Sequence, residues 1–231
     1  MPAFKKIPKK YQPNGFEILY EDRDIIVGHK AVGFLTVAAL YEKERTIHNA
    51  LNQYVRKGEA RSRKCVYVVH RLDRETSGVL MFAKTEEAKD FLKDNWKAFE
   101  KTYYAVVDGK MAQKSDTITS YLTEDEEYNI HSSQDDREGK LAHTAYTVIK
   151  ETATYSLLKI NLLTGRKNQI RVHLADKGHP VVGDTKYGHN KKRYERLALH
   201  SQSISFIHPF SQKSLTIETA LPEFFKKLIG P

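Results

Sequence analysis

Residues 68–84 read VVHRLDRETSGVLMFAK, a charged segment set between two apolar runs that are typical of buried strands. Within this segment, Arg71 and Arg74 flank Asp73. Charged side chains beside a hydrophobic core must be paired or have a function, because burying an unpaired charge costs free energy. Two neighbouring guanidinium groups favour the ionised carboxylate, which can act as a nucleophile or a base at neutral pH. Asp73 is therefore either half of a structural ion pair at a strand end or a catalytic carboxylate.

The sequence around this segment predicts an α+β fold, in which helices and loops flank a large mixed or antiparallel sheet. Thr46 and Thr85 precede runs with helical spacing and are candidate helix N-caps. We also predict a hairpin over residues 16–35, a short helix over 167–176 and a last helix with Pro222 in its first turn. Strands are predicted in the runs CVYVVHRLD, GVLMFAK, KTYYAVVDG, DTITSYL, HTAYTVIK, TYSLLKINLL, LALHSQSISFI and KSLTIET.

Two polar segments are predicted to lie outside the sheet. Residues 124–139 carry many acidic and amide side chains and are expected to form an exposed loop or insertion. Residues 1–15 hold four lysines and no acid, which is typical of a flexible basic arm. The expected domain organisation is therefore this arm, over residues 1–15, followed by one domain over residues 16–231.

A second group of cations lies in residues 162–184, LLTGRKNQIRVHLADKGHPVVGD. Arg166, Lys167 and Arg171 fall within six positions, where the chain leaves a strand and enters a predicted helix. A guanidinium group binds either a carboxylate or a phosphate in a bidentate manner. Arg171 is thus a candidate partner for either group, and the alternative for all three cations is a solvated basic surface.

The run KTYYA, residues 101–105, contributes paired aromatic side chains. Strand alternation sends Tyr103 and Tyr104 to opposite faces, so at most one of them reaches a site on the core side. A tyrosine ring in such a site stacks on a nucleic-acid base. The alternative is ordinary packing of both rings in the sheet.

Composition limits the class of protein. The chain has 231 residues, a formal net charge of +9 and a single cysteine, so a disulfide framework or a cysteine-rich zinc site is excluded. No apolar run approaches the roughly 20 residues of a membrane helix, which predicts a cytoplasmic protein without a membrane partner. The positive charge favours a polyanionic partner such as RNA.

Known cofactor and metal motifs are missing from the sequence. It lacks the glycine patterns of phosphate-binding and dinucleotide-binding loops, and it lacks the HExxH and Cys/His sets of zinc sites. We therefore expect neither a cofactor nor a metal ion.

Together these segments resemble a known family. Residues 70–78, HRLDRETSG, resemble the catalytic signature of the RluA family of RNA pseudouridine synthases. The run KTY, residues 101–103, is similar to the second motif of that family, and residues 165–173, GRKNQIRVH, are similar to its third. Shorter signatures over residues 178–184 and 199–209 follow in the family's order.

The resemblance implies the pseudouridine synthase fold with a central catalytic cleft, and an isomerase that converts specific uridines to pseudouridine without cofactor or metal. It implies that Asp73 is the catalytic carboxylate, which attacks the sugar, attacks the base or removes a proton. Arg171 would form a salt bridge that orients Asp73, and Tyr103 would stack on the flipped base. Arg71 would fill the space that the base leaves.

Three further cations, Arg74, Arg166 and Lys167, are expected to bind RNA. The chain departs from the family pattern at Asn168, where histidine is usual, and at Ala31, where proline is common. We expect a stand-alone catalytic domain without an S4-like RNA-binding domain, acting as a monomer.

The expected substrate is structured RNA, with 23S ribosomal RNA first and tRNA as the alternative. Two alternative functions are a non-catalytic RNA-binding module on the same fold and a carboxylate-dependent glycosidase. The glycosidase is disfavoured because that chemistry usually needs two acids.

Overall fold

The computed structural model describes residues 7–59, 61–133, 135, 137, 139–188 and 194–230. In these residues the chain forms strands β1 Phe16–Glu21, β2 Ile25–Lys30, β3 Tyr67–Val68, β4 Ser77–Ala83, β5 Glu100–Asp108, β6 Ser115–Glu124, β7 Ile130–Ser133, β8 Lys140–Glu151, β9 Tyr155–Leu162, β10 Leu199–Ile207 and β11 Ser214–Glu218. The α-helices are α1 Ile47–Arg56, α2 Glu86–Asp94, α3 Gln169–Asp176 and α4 Glu223–Ile229. Both classes of element contribute, so the predicted α+β class is confirmed.

The chain divides into two compact units, residues 1–99 with 203–219 and residues 100–202 with 220–231. In the first unit, β2 pairs with β1 on one side and with β4 on the other, and β3 also pairs with β4, all antiparallel. Every residue of β4 is buried. Its side chains Val79, Met81 and Ala83 pack with apolar residues of β2 and α2 in one core, to which apolar residues of β10 also belong.

The second unit contains an antiparallel sheet in the order β5, β9, β8, β6, β7. Helix α3 packs on β6, β7 and β8, and helix α4 packs on β5 and β9. The buried residues Leu122, Ile130, Ala142 and Val172 form the core beneath α3.

The two threonine caps are confirmed. The Oγ1 atom of Thr46 accepts a hydrogen bond from the backbone N–H of Asn49 at 3.1 Å, and Thr85 accepts one from Ala88 at the same distance. Each threonine thereby satisfies one of the backbone donors that a helix start leaves without a partner. Helices α1 and α2 consequently begin directly after their caps.

Three local predictions needed correction. The segment 124–139 is not a loop throughout, because β7 forms a hairpin with β6; residues 134, 136 and 138 lie outside the described residues. The run CVYVVHRLD pairs only at Tyr67 and Val68, since its polar end leaves the sheet. Helix α3 begins at Gln169, two residues later than predicted, because Asn168 has a left-handed backbone with φ of 51°.

Of the predicted arm, the structure describes residues 7–15. Residues 9–11 form a single 3-10 turn, and the side-chain amide of Gln12 bonds to the carbonyl of Ile7 at 3.1 Å and to the N–H of Ile18 at 2.8 Å. The arm's boundary at residue 15 stays a prediction. No helix in the described ranges is both long and apolar enough to cross a membrane.

Candidate active-site residues

The loop between β3 and β4 carries Asp73, which is half-buried, between the exposed Arg71 and Arg74. Its backbone is fixed on both sides of Leu72. The hydroxyl of Thr36 donates to the carbonyl of Leu72 at 2.9 Å and accepts from its N–H at 3.1 Å. This loop therefore presents the Asp73 carboxylate from an ordered backbone.

Lys30, at the end of β2, donates hydrogen bonds that hold the same loop. Its side chain is fully buried, and Nζ donates to the carbonyls of Ala31 at 3.0 Å, Phe34 at 2.8 Å and Arg74 at 3.1 Å. The N–H of Gly33 donates to the carbonyl of Arg74 at 2.9 Å. Sequence reasoning did not assign this role to Lys30; the available signal was a lysine that ends an otherwise apolar strand.

His70 has a structural role in this loop. Its Nε2 atom accepts a hydrogen bond from the backbone N–H of Met81 at 3.1 Å, and its ring stacks on Trp96 with 4.5 Å between centroids. These contacts fix the ring against β4. His70 is therefore bonded within the fold through its Nε2 atom and its stacked ring.

Tyr103 lies on β5 in the second unit, opposite Ile160 of β9, and is 7% exposed. Lys101, two residues earlier on the same face, is equally buried, and burial lowers the pKa of its ammonium group. Tyr104 is less buried and points to the other face, as alternation requires. Of the two aromatic side chains, Tyr103 is the one on the buried face.

Arg171, on α3, forms a buried bidentate pair with Asp184. The Nε–Oδ2 distance is 2.7 Å and the Nη2–Oδ1 distance is 2.8 Å. Asp184 also accepts from the backbone N–H groups of Lys186 and Tyr187. Burial by itself would raise the pKa of Asp184, but Arg171 and the two amides hold that pKa below its ordinary value. The sequence had not identified Asp184 as the partner of Arg171.

The turn that carries Asp184 depends on a glycine. Gly183 has φ of 79°, a conformation that glycine adopts readily. A Cβ atom there would lie 2.2 Å from the carbonyl oxygen of Arg196, which is a severe clash with the backbone. Only glycine fits at this position, and it sets the path of the chain into Asp184.

Tyr187 completes the surroundings of Arg171. The guanidinium carbon lies 5.3 Å from the centroid of the Tyr187 ring. The Tyr187 hydroxyl donates to Oδ1 of Asn168 at 3.2 Å and accepts from the N–H of Ile130 at the same distance. Asn168, one of the departures from the family pattern, therefore anchors the ring that packs on Arg171.

The remaining predicted cations are exposed. Arg166 donates from Nε to the carbonyl of Leu141 at 3.3 Å. Lys167 forms an ion pair with Glu124, and its ammonium lies over the ring of Tyr128 at 5.3 Å. The structure thus groups Arg71, Asp73 and Arg74 on one loop of the first unit. It places Tyr103, Arg166, Lys167 and Arg171 in the second unit.

One cluster in the described residues has the composition of a metal site, namely Asp22, Asp24 and His208. Asp22 already accepts hydrogen bonds from the backbone N–H groups of Asp24 and Ile25, from the Tyr20 hydroxyl and from Nε2 of His208. Nδ1 of His208 accepts from the backbone N–H of Ser211 at 3.1 Å. These atoms are used in joining the strand ends, so the cluster is structural.

Comparison with known proteins identifies the family. A family model described as RNA pseudouridylate synthase matches residues 24–176. The tRNA pseudouridine synthase C of Haemophilus influenzae is 33% identical over 241 residues, covering 93% of this chain and 96% of the relative. The ribosomal large subunit pseudouridine synthase D of Blochmanniella floridana is 32% identical over 235 residues, covering 92% of this chain and 71% of the relative.

A solved structure shows the same fold. Human RNA pseudouridylate synthase domain containing 4 superposes with a TM-score of 0.75 at 22% identity, covering 90% of this chain and 89% of that one. The predicted family and fold are therefore confirmed. The chain belongs to the RNA pseudouridylate synthase family, whose enzymes are isomerases.

Proposed function

We propose that Asp73 is the catalytic carboxylate of an enzyme that isomerises specific uridines in structured RNA. The observation that carries this proposal is the geometry of its loop. Thr36 and Lys30 hold the backbone on both sides of Asp73, and the half-buried Asp73 lies in the chain between the exposed Arg71 and Arg74. A fixed carboxylate in a basic surrounding suits an RNA substrate, because the phosphates are attracted and the reacting group stays in position.

The reaction is balanced without a cofactor. The bond from C1′ to N1 of the uracil breaks, the base rotates, and a bond from C1′ to C5 forms. The proton on C5 leaves and N1 takes up a proton, so no oxidant or reductant is needed. Asp73 serves this sequence by attack on the sugar, by attack on the base or by proton removal, and the three routes share the same carboxylate.

The other site residues receive supporting roles. We propose that Arg171 orients Asp73 by a salt bridge; a guanidinium has five N–H donors, so its pair with Asp184 is compatible with a second carboxylate. Tyr103 is proposed to stack on the flipped base, and Arg71 to fill the vacated space.

The cations Arg74, Arg166 and Lys167 are proposed to contact phosphates. For Lys167 this requires exchange of its exposed partner Glu124 for phosphate, and such surface pairs contribute little stability.

The assignment of Asp73 is tested by tritium release from RNA labelled at C5 of uridine. We expect Asp73→Ala to release no tritium above background, whereas Glu75→Gln, a neutralised acid two residues away, keeps activity. Circular dichroism on both variants shows whether they fold. Full turnover by folded Asp73→Ala would refute the assignment, and RNA binding without any product by the wild type would favour the non-catalytic module.

For the RNA target, we propose 23S ribosomal RNA first and tRNA second. Both alternatives are represented by relatives of nearly equal identity, one named for the ribosomal large subunit and one for tRNA. Transcriptome-wide pseudouridine mapping in a strain that lacks the gene distinguishes them, since the missing site names the target. A lost site in 23S RNA supports the first choice, and a lost site in tRNA replaces it.

We further propose that the enzyme acts in the cytoplasm as a monomer, with a catalytic domain over residues 16–231 and a basic arm before it. We propose that it uses neither metal nor cofactor. Activity that survives dialysis against EDTA, and a molar mass of one chain by light scattering, would agree with these proposals. Loss of activity restored by a metal, or a dimer mass, would contradict them.

A further inference from the structure

The last residue of α1 and the loop that follows it form the most basic exposed segment of the first unit outside residues 1–15. Residues 56–64, RKGEARSRK, contain five cations and one acid, and we call this segment the basic loop. Its described charged side chains are all exposed. Residue 60 lies outside the described residues. We infer that the basic loop binds the phosphate backbone of the substrate RNA beside the target uridine, an inference that rests on the proposed function.

The cations of the basic loop are not neutralised by neighbours. Elsewhere in this unit, Lys84 pairs with Glu21, Lys89 with Asp90 and Arg23 with Asp24. By contrast, the side chains of Lys57, Arg61, Arg63 and Lys64 form no ion pair with any residue that the structure describes. A group of positive charges that forms no ion pairs gains the most binding free energy from phosphates, because binding releases the cations condensed on the RNA.

The backbone of the basic loop is held in place. The guanidinium of Arg56 donates to the carbonyl of Lys64 at 3.1 Å and so joins the two ends of the loop. Two internal turns add hydrogen bonds, from the N–H of Glu59 to Arg56 and from the N–H of Ser62 to Glu59, each at 3.0 Å. An ordered backbone lowers the entropy lost when a polyanion binds.

The basic loop lies shortly before the loop that carries Asp73 in the chain. Directly after it, the N–H of Val66 donates to Oδ1 of Asn52 at 2.9 Å, which anchors the outgoing chain on α1. Asp73 lies nine positions after Lys64, so the two lie at most about 32 Å apart. One strand of a duplex carries a phosphate about every 3.4 Å along its axis, so the contacted phosphates lie within about nine base pairs of the target.

The test compares two triple variants that each remove three positive charges. The first is Arg61→Gln/Arg63→Gln/Lys64→Gln in the basic loop. The control is Lys110→Gln/Lys226→Gln/Lys227→Gln, which changes exposed lysines of the second unit. RNA affinity is measured by filter binding over a range of salt concentrations, and KM and kcat are measured on the same RNA.

We expect the basic-loop variant to flatten the slope of log Kd against log salt concentration by about 2 to 3, at 0.7 to 0.9 per phosphate contact. Its loss of activity should fall on KM and not on kcat. Equal slopes for the basic-loop variant and the control would overturn the inference.

A second substrate keeps this inference separable from the proposed function. On an RNA trimmed to a few nucleotides around the target, the basic-loop variant should bind as well as the wild type, because the flanking phosphates are gone. A persisting difference on the trimmed RNA would contradict the placement. Absence of pseudouridine with wild-type protein would instead refute the proposed function, and the salt slopes would still report on the basic loop.

Discussion

Lys30 shows how a single residue supports the candidate catalytic loop. A fully buried ammonium group is tolerated because it donates to three carbonyl oxygens, one of which belongs to Arg74 beside Asp73. Removing a buried donor leaves its acceptors without partners, which destabilises a protein by about 1–3 kcal/mol per group. The side chain therefore contributes both to folding and to the placement of Asp73.

We expect Lys30→Met to lower the free energy of unfolding by about 2 kcal/mol or more and to lower kcat, because the carbonyl of Arg74 keeps the N–H of Gly33 but loses its second donor, the Lys30 ammonium. Urea denaturation and steady-state kinetics measure the two effects. The matched control is Lys84→Met, which removes a half-buried ammonium bonded to Glu21 and Asp22 at the other end of β2. An unchanged kcat in both variants, despite a loss of stability in both, would contradict a role of Lys30 in placing Asp73.

Asp184 offers a second test at the residue scale. Asp184→Asn removes the charged half of the buried bidentate pair with Arg171, and breaking a buried pair in this way destabilises proteins by about 3–5 kcal/mol. Chemical denaturation should show a loss of that order. Asp176→Asn, a change at an exposed acid on the same helix, should stay within about 0.5 kcal/mol of wild type. Similar stability for both variants would show that the pair with Asp184 does not hold Arg171.

Among the elements, helix α3 is anchored by a buried neutral histidine. His173 is fully buried and bonds through Nε2 to the Ser120 hydroxyl at 3.0 Å and through Nδ1 to the Thr144 hydroxyl at 2.9 Å. Burial, assisted by the charge of His143, lowers the pKa of His173 to about 4. The folded protein therefore holds His173 without its proton at pH values where the unfolded chain takes one up.

The sign of the pH effect follows from that shift. Because the folded pKa lies below the ordinary value, the contribution of His173 is complete above about pH 6.5 and is lost as pH falls toward 4. Between pH 7 and pH 5 we expect a loss of about 2 kcal/mol from this group. Urea denaturation at both pH values measures it. In His173→Gln, the free energy of unfolding should fall less between pH 7 and pH 5 than it does in the wild type. An equal fall in both proteins would contradict the assignment of this pH dependence to His173.

Elements with local signals were predictable from sequence, and those set by distant partners were not. Thr46 and Thr85 carry their own capping chemistry, so α1 and α2 were placed correctly. Strand β7 was not predicted, because its sequence, IHSS, is short and polar. It is a strand through its pairing with β6. The pair of Arg171 with Asp184 joins residues 13 positions apart, and many acids in the sequence were possible partners.

At the scale of the whole molecule, the net charge of +9 has an uneven distribution. Four lysines lie in residues 1–15. The basic loop, with five cations and one acid, adds a net charge of +4. Of the proposed site cations, Arg71 and Arg74 flank Asp73 in its loop, Arg166 and Lys167 lie just before α3, and Arg171 lies on it. This arrangement favours an RNA enzyme with separate groups for chemistry and for phosphate binding.

Single-turnover kinetics with saturating enzyme tests whether the Asp73 carboxylate performs the chemistry. Pseudouridine formation and the Kd for RNA are measured for wild type, Asp73→Asn and Glu75→Gln. For Asp73→Asn we predict a rate lowered by about 10⁴ or more with a Kd within a few-fold of wild type. A rate for folded Asp73→Asn within tenfold of wild type would contradict the account.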